Sequence, residues 1–161
     1  ERMSKMALRS IRTEGDPDLL KKSRPVEKFD RRLQMLIEDM FDTMYDAEGC
    51  GLAAVQVGVL RRLVVIDTGE EGERLVLINP EIIETQGEVR EAEGCLSIPG
   101  KRGVVCRPGK VTVKALDENG KEFIRTGTGL LARAMCHEID HLDGILYSSK
   151  VERWLTPGEG E

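Results

Sequence analysis

Cys136-His137-Glu138-Ile139-Asp140-His141 holds the only two histidines of the chain, four residues apart, with a glutamate directly after the first. On an α-helix a four-residue step returns side chains to nearly the same azimuth, so both imidazoles can reach one metal ion. Glu138 lies about a third of a turn away, where a long carboxylate side chain can approach a metal-bound water. This is the His-Glu-x-x-His arrangement, two ligands plus a base. The competing interpretation is a surface helix that happens to carry His and Glu.

The helix that would hold this stretch is predicted from about Leu130 to Leu142, with Gly144 closing it. Upstream, Val111 to Leu116 and Glu122 to Arg125 read as strands around an Asp117-Glu-Asn-Gly120 hairpin turn. Glu93-Gly-Cys-Leu-Ser-Ile-Pro-Gly100 breaks the pattern with Gly and Pro and is expected as a loop or a bulged edge. Leu63 to Asp67 and Leu75 to Asn79 read as strands joined by a polar turn. Pro80 is expected to end the second, with Ile82-Ile83 opening another short strand. Gly49 to Gln56 reads as small and flexible, with one buried amide. Before it, Phe29, Leu33, Leu36, Ile37, Met40, Phe41 and Met44 form one apolar stripe, a scaffold helix with Asp30 as N-cap. Helices bracket a middle dominated by strands. The expected fold class is α+β, antiparallel strands packed around a central helix carrying the His-Glu-x-x-His motif.

The chain has 161 residues, the size of one domain, and residues 1–161 are expected to form a single catalytic domain. Residues 1–5 read as a leader or expression remnant, since Met6 is a second plausible start, and about 152–161 as a flexible tail. A net charge of -5 argues against nucleic-acid binding as the main activity, and no apolar run approaches membrane-spanning length. The start lacks the apolar core of a secretory signal, so the expected compartment is the cytoplasm, with an organellar enzyme freed of its transit peptide as the alternative. The four cysteines contain no Cys-x-x-Cys pair and are expected to be free, buried or metal-bound.

A catalytic metal site usually has three protein ligands and one open position. The metzincin pattern would place a third His where this chain has Tyr147. The other protease solution takes a Glu from a later helix, but the tail holding Glu152, Glu159 and Glu161 is too short and too rich in Gly and Pro to build one. Cys136 points about 100° away from His137 on the helix. Cys50 and Cys95 lie in Gly-containing loops that could approach it, and Cys95 has the more unusual setting.

Three stretches now stand together: Gly49-Cys-Gly-Leu-Ala-Ala-Val-Gln56, Glu93-Gly-Cys-Leu-Ser97 and His137-Glu-Ile-Asp-His141. In this order they resemble the three motifs of bacterial-type peptide deformylases. The resemblance runs from Met6 to about Val151. It implies that Cys95, His137 and His141 hold one divalent metal ion, Fe(II) in cells, with Zn(II), Ni(II) or Co(II) in purified protein. A thiolate and two imidazoles suit such borderline-soft ions.

The activity implied is hydrolysis of the N-formyl group from the formyl-methionine of newly synthesised polypeptides, releasing formate. The metal lowers the pKa of its bound water, and Glu138 acts as general base and then general acid. The resemblance makes the Gln56 side-chain amide and the Leu96 backbone N–H the oxyanion donors. It places Cys50, Leu130 and Ala134 around the methionine side chain, and Gly51 and Gly94 beside the substrate main chain. Glu93 and Asp140 are expected to hold ligands in place, through Arg102, Arg107 or Arg133.

Two departures stand out. Cys136 occupies a position where many relatives have Gln. The chain also stops about twenty residues after His141, so docking through the long C-terminal helix of some relatives is not expected. The expected partners are nascent formyl-methionyl peptides, with a transient ribosome contact, and the expected state is a monomer. Two other functions compete: a His-Glu-x-x-His metallopeptidase, and a non-enzymatic protein with a structural zinc site. The missing third protease ligand counts against the first. Glu138, Gln56 and the lack of Cys-x-x-Cys spacing count against the second.

Overall fold

The structure is a computed structural model and describes residues 8–159. The stretch expected as a leader, Glu1 to Lys5, lies outside the described residues. Two helices, α1 (Arg31–Asp46) and α2 (Gly129–Leu142), accompany eight strands. The strands are β1 (Gly51–Ala53), β2 (Leu63–Asp67), β3 (Arg74–Gln86), β4 (Val89–Cys95), β5 (Ile98–Arg107), β6 (Lys110–Leu116), β7 (Glu122–Thr128) and β8 (Val151–Trp154). They form a five-stranded sheet in the order β1-β2-β3-β6-β7 and a three-stranded sheet in the order β4-β5-β8. Every strand pairing is antiparallel. The α+β class with a central motif-bearing helix is what the sequence pattern implies.

The apolar run Leu63-Val-Val-Ile66 explains how the large sheet is covered. Successive strand side chains point to opposite faces. Leu63 and Val65 enter a core with Leu36, Met40 and Met44 of α1, while Val64 and Ile66 enter a second core with Leu131, Met135 and Ile139 of α2. A strand sandwiched this way is apolar at every position. Asp30 caps α1 as expected, its side chain accepting from the Leu33 N–H at 3.1 Å. Gly144, at φ 76°, follows the Asp143 C-cap of α2, and an added Cβ there would lie 2.5 Å from the Leu20 carbonyl oxygen. Glycine is required by both conformation and space.

Three expectations need correction. Pro80 does not end a strand: β3 continues to Gln86 through a register shift between Ile78 and Glu81. Asn79 takes φ 51° at this bulge and pairs with Val26 through both side-chain atoms, at 2.8 and 3.0 Å. A bulge accommodates a residue that has no N–H to donate. The segment Gly49 to Gln56 is not flexible, because Leu52 to Gln56 are buried in β1 and the 3-10 turn Ala54–Val57. Its small residues serve close packing rather than freedom. Of the two alternatives for Glu93 to Gly100, loop or bulged edge, the structure has the second. Cys95 pairs with Ile98 across a tight turn, with the expected bulge falling between Glu93 and Cys95. Finally, Glu152 to Trp154, expected in a frayed tail, belong to β8 and pair with β5.

The second core fixes α2 against the sheet. Leu77 is fully buried in it. Leu77→Ala is expected to lower stability by about 2–5 kcal/mol, through lost transfer energy and the cavity left behind. Urea unfolding measures this, and an unchanged midpoint would contradict the assignment of Leu77 to the core.

Candidate metal centre

The motif helix α2 is buried along most of its length, which is unusual for a segment carrying Arg133, His137, Glu138 and His141. Arg133 and His137 find partners in Glu93, because an unpaired buried charge is costly. Helical spacing stacks His137 and His141, with ring centroids 5.1 Å apart. Cys95 arrives from the end of β4, where the bulge turns it toward the helix. Its Sγ lies 3.4 Å from His141 Nε2. The donor atoms of Cys95, His137 and His141 all lie within 4.8 Å of one another.

Glu93, two residues before Cys95, organises the surroundings. His137 Nδ1 lies 2.8 Å from its Oε1. Arg107 donates to both oxygens, through Nε at 2.8 Å and Nη2 at 3.0 Å, and Arg133 Nη1 donates at 2.6 Å. Burial pushes the Glu93 carboxyl up, but the His137 and Arg107 hydrogen bonds outweigh it and hold the group well below the usual carboxylate range. Arg107 also donates to Asp140 at 2.7 Å, and Lys150 reaches the same carboxylate at 2.9 Å. Of the three arginines singled out in the sequence, Arg107 and Arg133 hold Glu93. Arg102 instead donates to the Ala92 carbonyl at 3.4 Å.

The remaining site residues line an open cavity of ≈ 990 Å³. Cys50, Gly51, Gln56, Gly94 and Leu96 approach it from the loops and strands. Leu130, Ala134, His137 and Glu138 approach it from α2. His141 is fully buried beneath. Glu138 is 5% exposed, and burial raises its pKa to about 7. Its Oε1 has no hydrogen-bond partner among the described residues, and neither has His141 Nδ1. Gly51 makes room for this carboxylate, since an added Cβ would lie 2.7 Å from Glu138 Oε2. Gln56 is held at both ends of its amide. Oε1 accepts from the Ala53 N–H at 2.9 Å, and Nε2 donates to Ser97 Oγ at 3.0 Å and reaches Cys95 Sγ at 3.7 Å.

Burial lowers the pKa of His141 to about 3, with the neighbouring His137 acting in the same direction, so it stays neutral and free to donate a lone pair. Burial also opposes charge on His137, but Glu138, Cys95 and Glu93 outweigh it and raise the metal-free pKa to about 10. One thiol sulfur and two imidazole nitrogens converge, with the Nδ1 of one imidazole fixed by a carboxylate. That donor set fits a borderline-soft divalent cation. Ser97, which steadies Gln56, is the residue that sequence reasoning missed. Its signal was its place inside the Glu93-Gly-Cys-Leu-Ser97 motif.

Comparison with known proteins follows the same lines. The family model for polypeptide deformylase matches residues 8–155. A peptide deformylase of Lachnoclostridium phytofermentans is 61% identical over 147 residues, covering 91% of this chain and 90% of the relative. One from Caldicellulosiruptor bescii is 58% identical over 156 residues, 97% of this chain and 93% of the relative. The crystal structure of a peptide deformylase from Legionella pneumophila superposes with TM-score 0.87 at 53% identity, covering 94% of this chain and 88% of that one. A peptide deformylase from Ehrlichia chaffeensis, solved in complex with actinonin, gives TM-score 0.87 at 42% identity, over 91% of this chain and 90% of that one.

Replacing Glu93 by Gln leaves two buried guanidinium groups facing a neutral amide. The expected loss is about 3–5 kcal/mol at pH 7, read by chemical unfolding of the metal-free protein. Because the folded carboxyl is depressed below its ordinary 4.5, its contribution is fully present above that pH and is lost as pH falls below it. A Glu93→Gln variant as stable as wild type at pH 7 would contradict this.

Proposed function

The chain belongs to the peptide deformylase family, and from that membership we infer how its own residues divide the removal of the N-formyl group from formyl-methionyl polypeptides. The reaction hydrolyses the formyl amide and leaves formate and a free amino terminus. The observation that carries the reading is the convergence of Cys95, His137 and His141, with the buried Glu138 carboxylate lining the same cavity as Cys95 and His137.

Those three residues would hold one divalent ion, which we take to be Fe(II) in cells, with Zn(II), Ni(II) or Co(II) able to replace it. When bound, the ion supplies Lewis acidity, acidifying water and polarising the formyl oxygen. Three donors, with no fourth beside them among the described residues, support an open catalytic position over a closed structural zinc site.

Glu138 is the proton carrier. Its raised pKa, about 7, suits a group that takes a proton from water and returns it to the leaving amine. The Gln56 amide, locked by Ala53 and Ser97, is oriented to donate toward the developing oxyanion, together with the Leu96 N–H. Cys50, Leu130 and Ala134 offer an apolar wall for the methionine side chain. Gly51 and Gly94 leave main chain accessible to the substrate backbone.

We take residues 1–161 as one catalytic unit acting as a monomer in the cytoplasm, with a transient ribosome contact where its substrates emerge. No helix among the described residues is long and apolar enough to cross a membrane.

Protein loaded with Fe(II), Ni(II) or Co(II) is expected to release formate from a formyl-Met tripeptide. Glu138→Gln should keep its metal while turnover falls roughly 10²–10⁴-fold. Undiminished turnover would remove Glu138 from the proton-carrying role. Absence of formate release by loaded wild type would overturn the functional reading.

A further inference from the structure

Tyr147 is 1% exposed and belongs to none of the three motifs. Its ring centroid lies 5.7 Å from that of His137, with the planes inclined by 32°. It also forms a small core with Ile98 and Val105, against which Cys95 packs. One side chain thus sits beside two candidate ligands that come from different elements.

The geometry gives that ring mechanical work to do. His137 is tied at Nδ1 to Glu93 Oε1. A single hydrogen bond restrains the ring along one direction but leaves it able to pivot about the Nδ1···O line. An aromatic plane packed against the imidazole resists that pivot, and so holds the opposite nitrogen on target.

The other end of Tyr147 reaches the cavity rim. Its hydroxyl donates to the Lys101 carbonyl at 3.3 Å, and Lys101 and Arg102 line the cavity. Trp154 of β8 meets the Tyr147 ring edge-on at 5.8 Å, and Lys101 Nζ lies 5.5 Å from the Trp154 ring centroid. The Leu155 N–H donates to the Arg102 carbonyl at 2.9 Å. Gly103 permits this approach, since an added Cβ would lie 2.6 Å from Val151 Cγ1. The rim is therefore fastened from beneath by Tyr147 and from the side by β8.

We propose that Tyr147 is a positioning residue with two separable effects: its ring orients His137 for metal binding, and its hydroxyl fixes the Lys101–Arg102 rim for the substrate peptide. The inference rests on the reading of Cys95, His137 and His141 as the metal ligands. It adds a residue outside the three motifs to the machinery.

Two variants separate the effects. Tyr147→Phe keeps the ring and removes the hydroxyl, whereas Tyr147→Leu removes the ring. Co(II) titration of metal-free protein, followed by thiolate-to-cobalt absorbance, reads metal affinity without turnover. Tyr147→Leu is expected to bind Co(II) roughly tenfold more weakly, in the range by which groups behind the ligands tune metal sites. Tyr147→Phe should bind Co(II) within about twofold of wild type. Its KM for a formyl-Met tripeptide should rise about fivefold at unchanged kcat, the equivalent of one hydrogen bond. Val151→Ala trims the same small core from β8 and should leave Co(II) affinity unchanged.

Equal Co(II) affinity in Tyr147→Leu and wild type, or an equal loss in Val151→Ala, would overturn the ring's role. An unchanged KM in Tyr147→Phe would overturn the hydroxyl's role. Wild type that binds no Co(II) would overturn the ligand assignment itself, and this inference with it.

Discussion

The carboxylate of Glu93 accepts from two arginines and meets the ring nitrogen of His137, all at a site that is 5% exposed. Taking such charges out of water costs several kcal/mol for each ion, and the cost is offset only when every polar atom is satisfied. Here the partners come from three elements. Glu93 lies on β4, Arg107 on β5, and Arg133 and His137 on α2. Arg133 also donates to the carbonyls of Val89 and Val105, so it pins both strands of the hairpin to the helix. The hairpin cannot shift relative to α2 without breaking this cluster. Cys95, two residues along β4, is thereby delivered to the two histidines.

The same constraint governs the side of the site that faces the cavity. Since helix and hairpin are fixed, the first motif must fit between them, and it does so by being small. Gly51 passes so close to Glu138 that a methyl group would collide with the carboxylate. Gly49 makes similar room for the Leu96 side chain, whose Cδ1 would lie 2.7 Å from an added Cβ. The chain then turns through Ala54–Val57, and Gln56 closes that turn by accepting from the Ala53 N–H. The amide is thus tied down at both ends, its oxygen by the Ala53 N–H and its nitrogen by Ser97 Oγ.

Much of this was legible in the chain itself. The α1 stripe, its Asp30 cap, β2 and the α2 boundaries follow from periodicity and capping, because an apolar stripe, a cap residue or a closing glycine marks each of them. The ligand set came from three motifs in register rather than from any one of them. The β4–β5 hairpin was hidden for a physical reason. Its buried positions include Glu93 and Arg107, so the usual alternation of apolar-in and polar-out fails where charges are paired inside. The passage of β3 through Pro80 was hidden because proline normally ends a strand, and only the Asn79–Val26 pairing shows why it does not. Tyr147 drew notice only as the residue where a third histidine was missing. Its contact with His137 is set by the 3-10 turn Tyr147–Lys150, a stretch with no apolar periodicity to give it away.

We infer that one thiolate and two imidazoles, with no fourth protein group, hold the metal. X-ray absorption of the zinc-loaded protein reads that donor set atom by atom. One sulfur scatterer at about 2.3 Å and two imidazole nitrogens at about 2.0–2.1 Å are expected, with one further light atom that is not histidine. Two sulfur scatterers, three imidazoles, or no sulfur at all would contradict it.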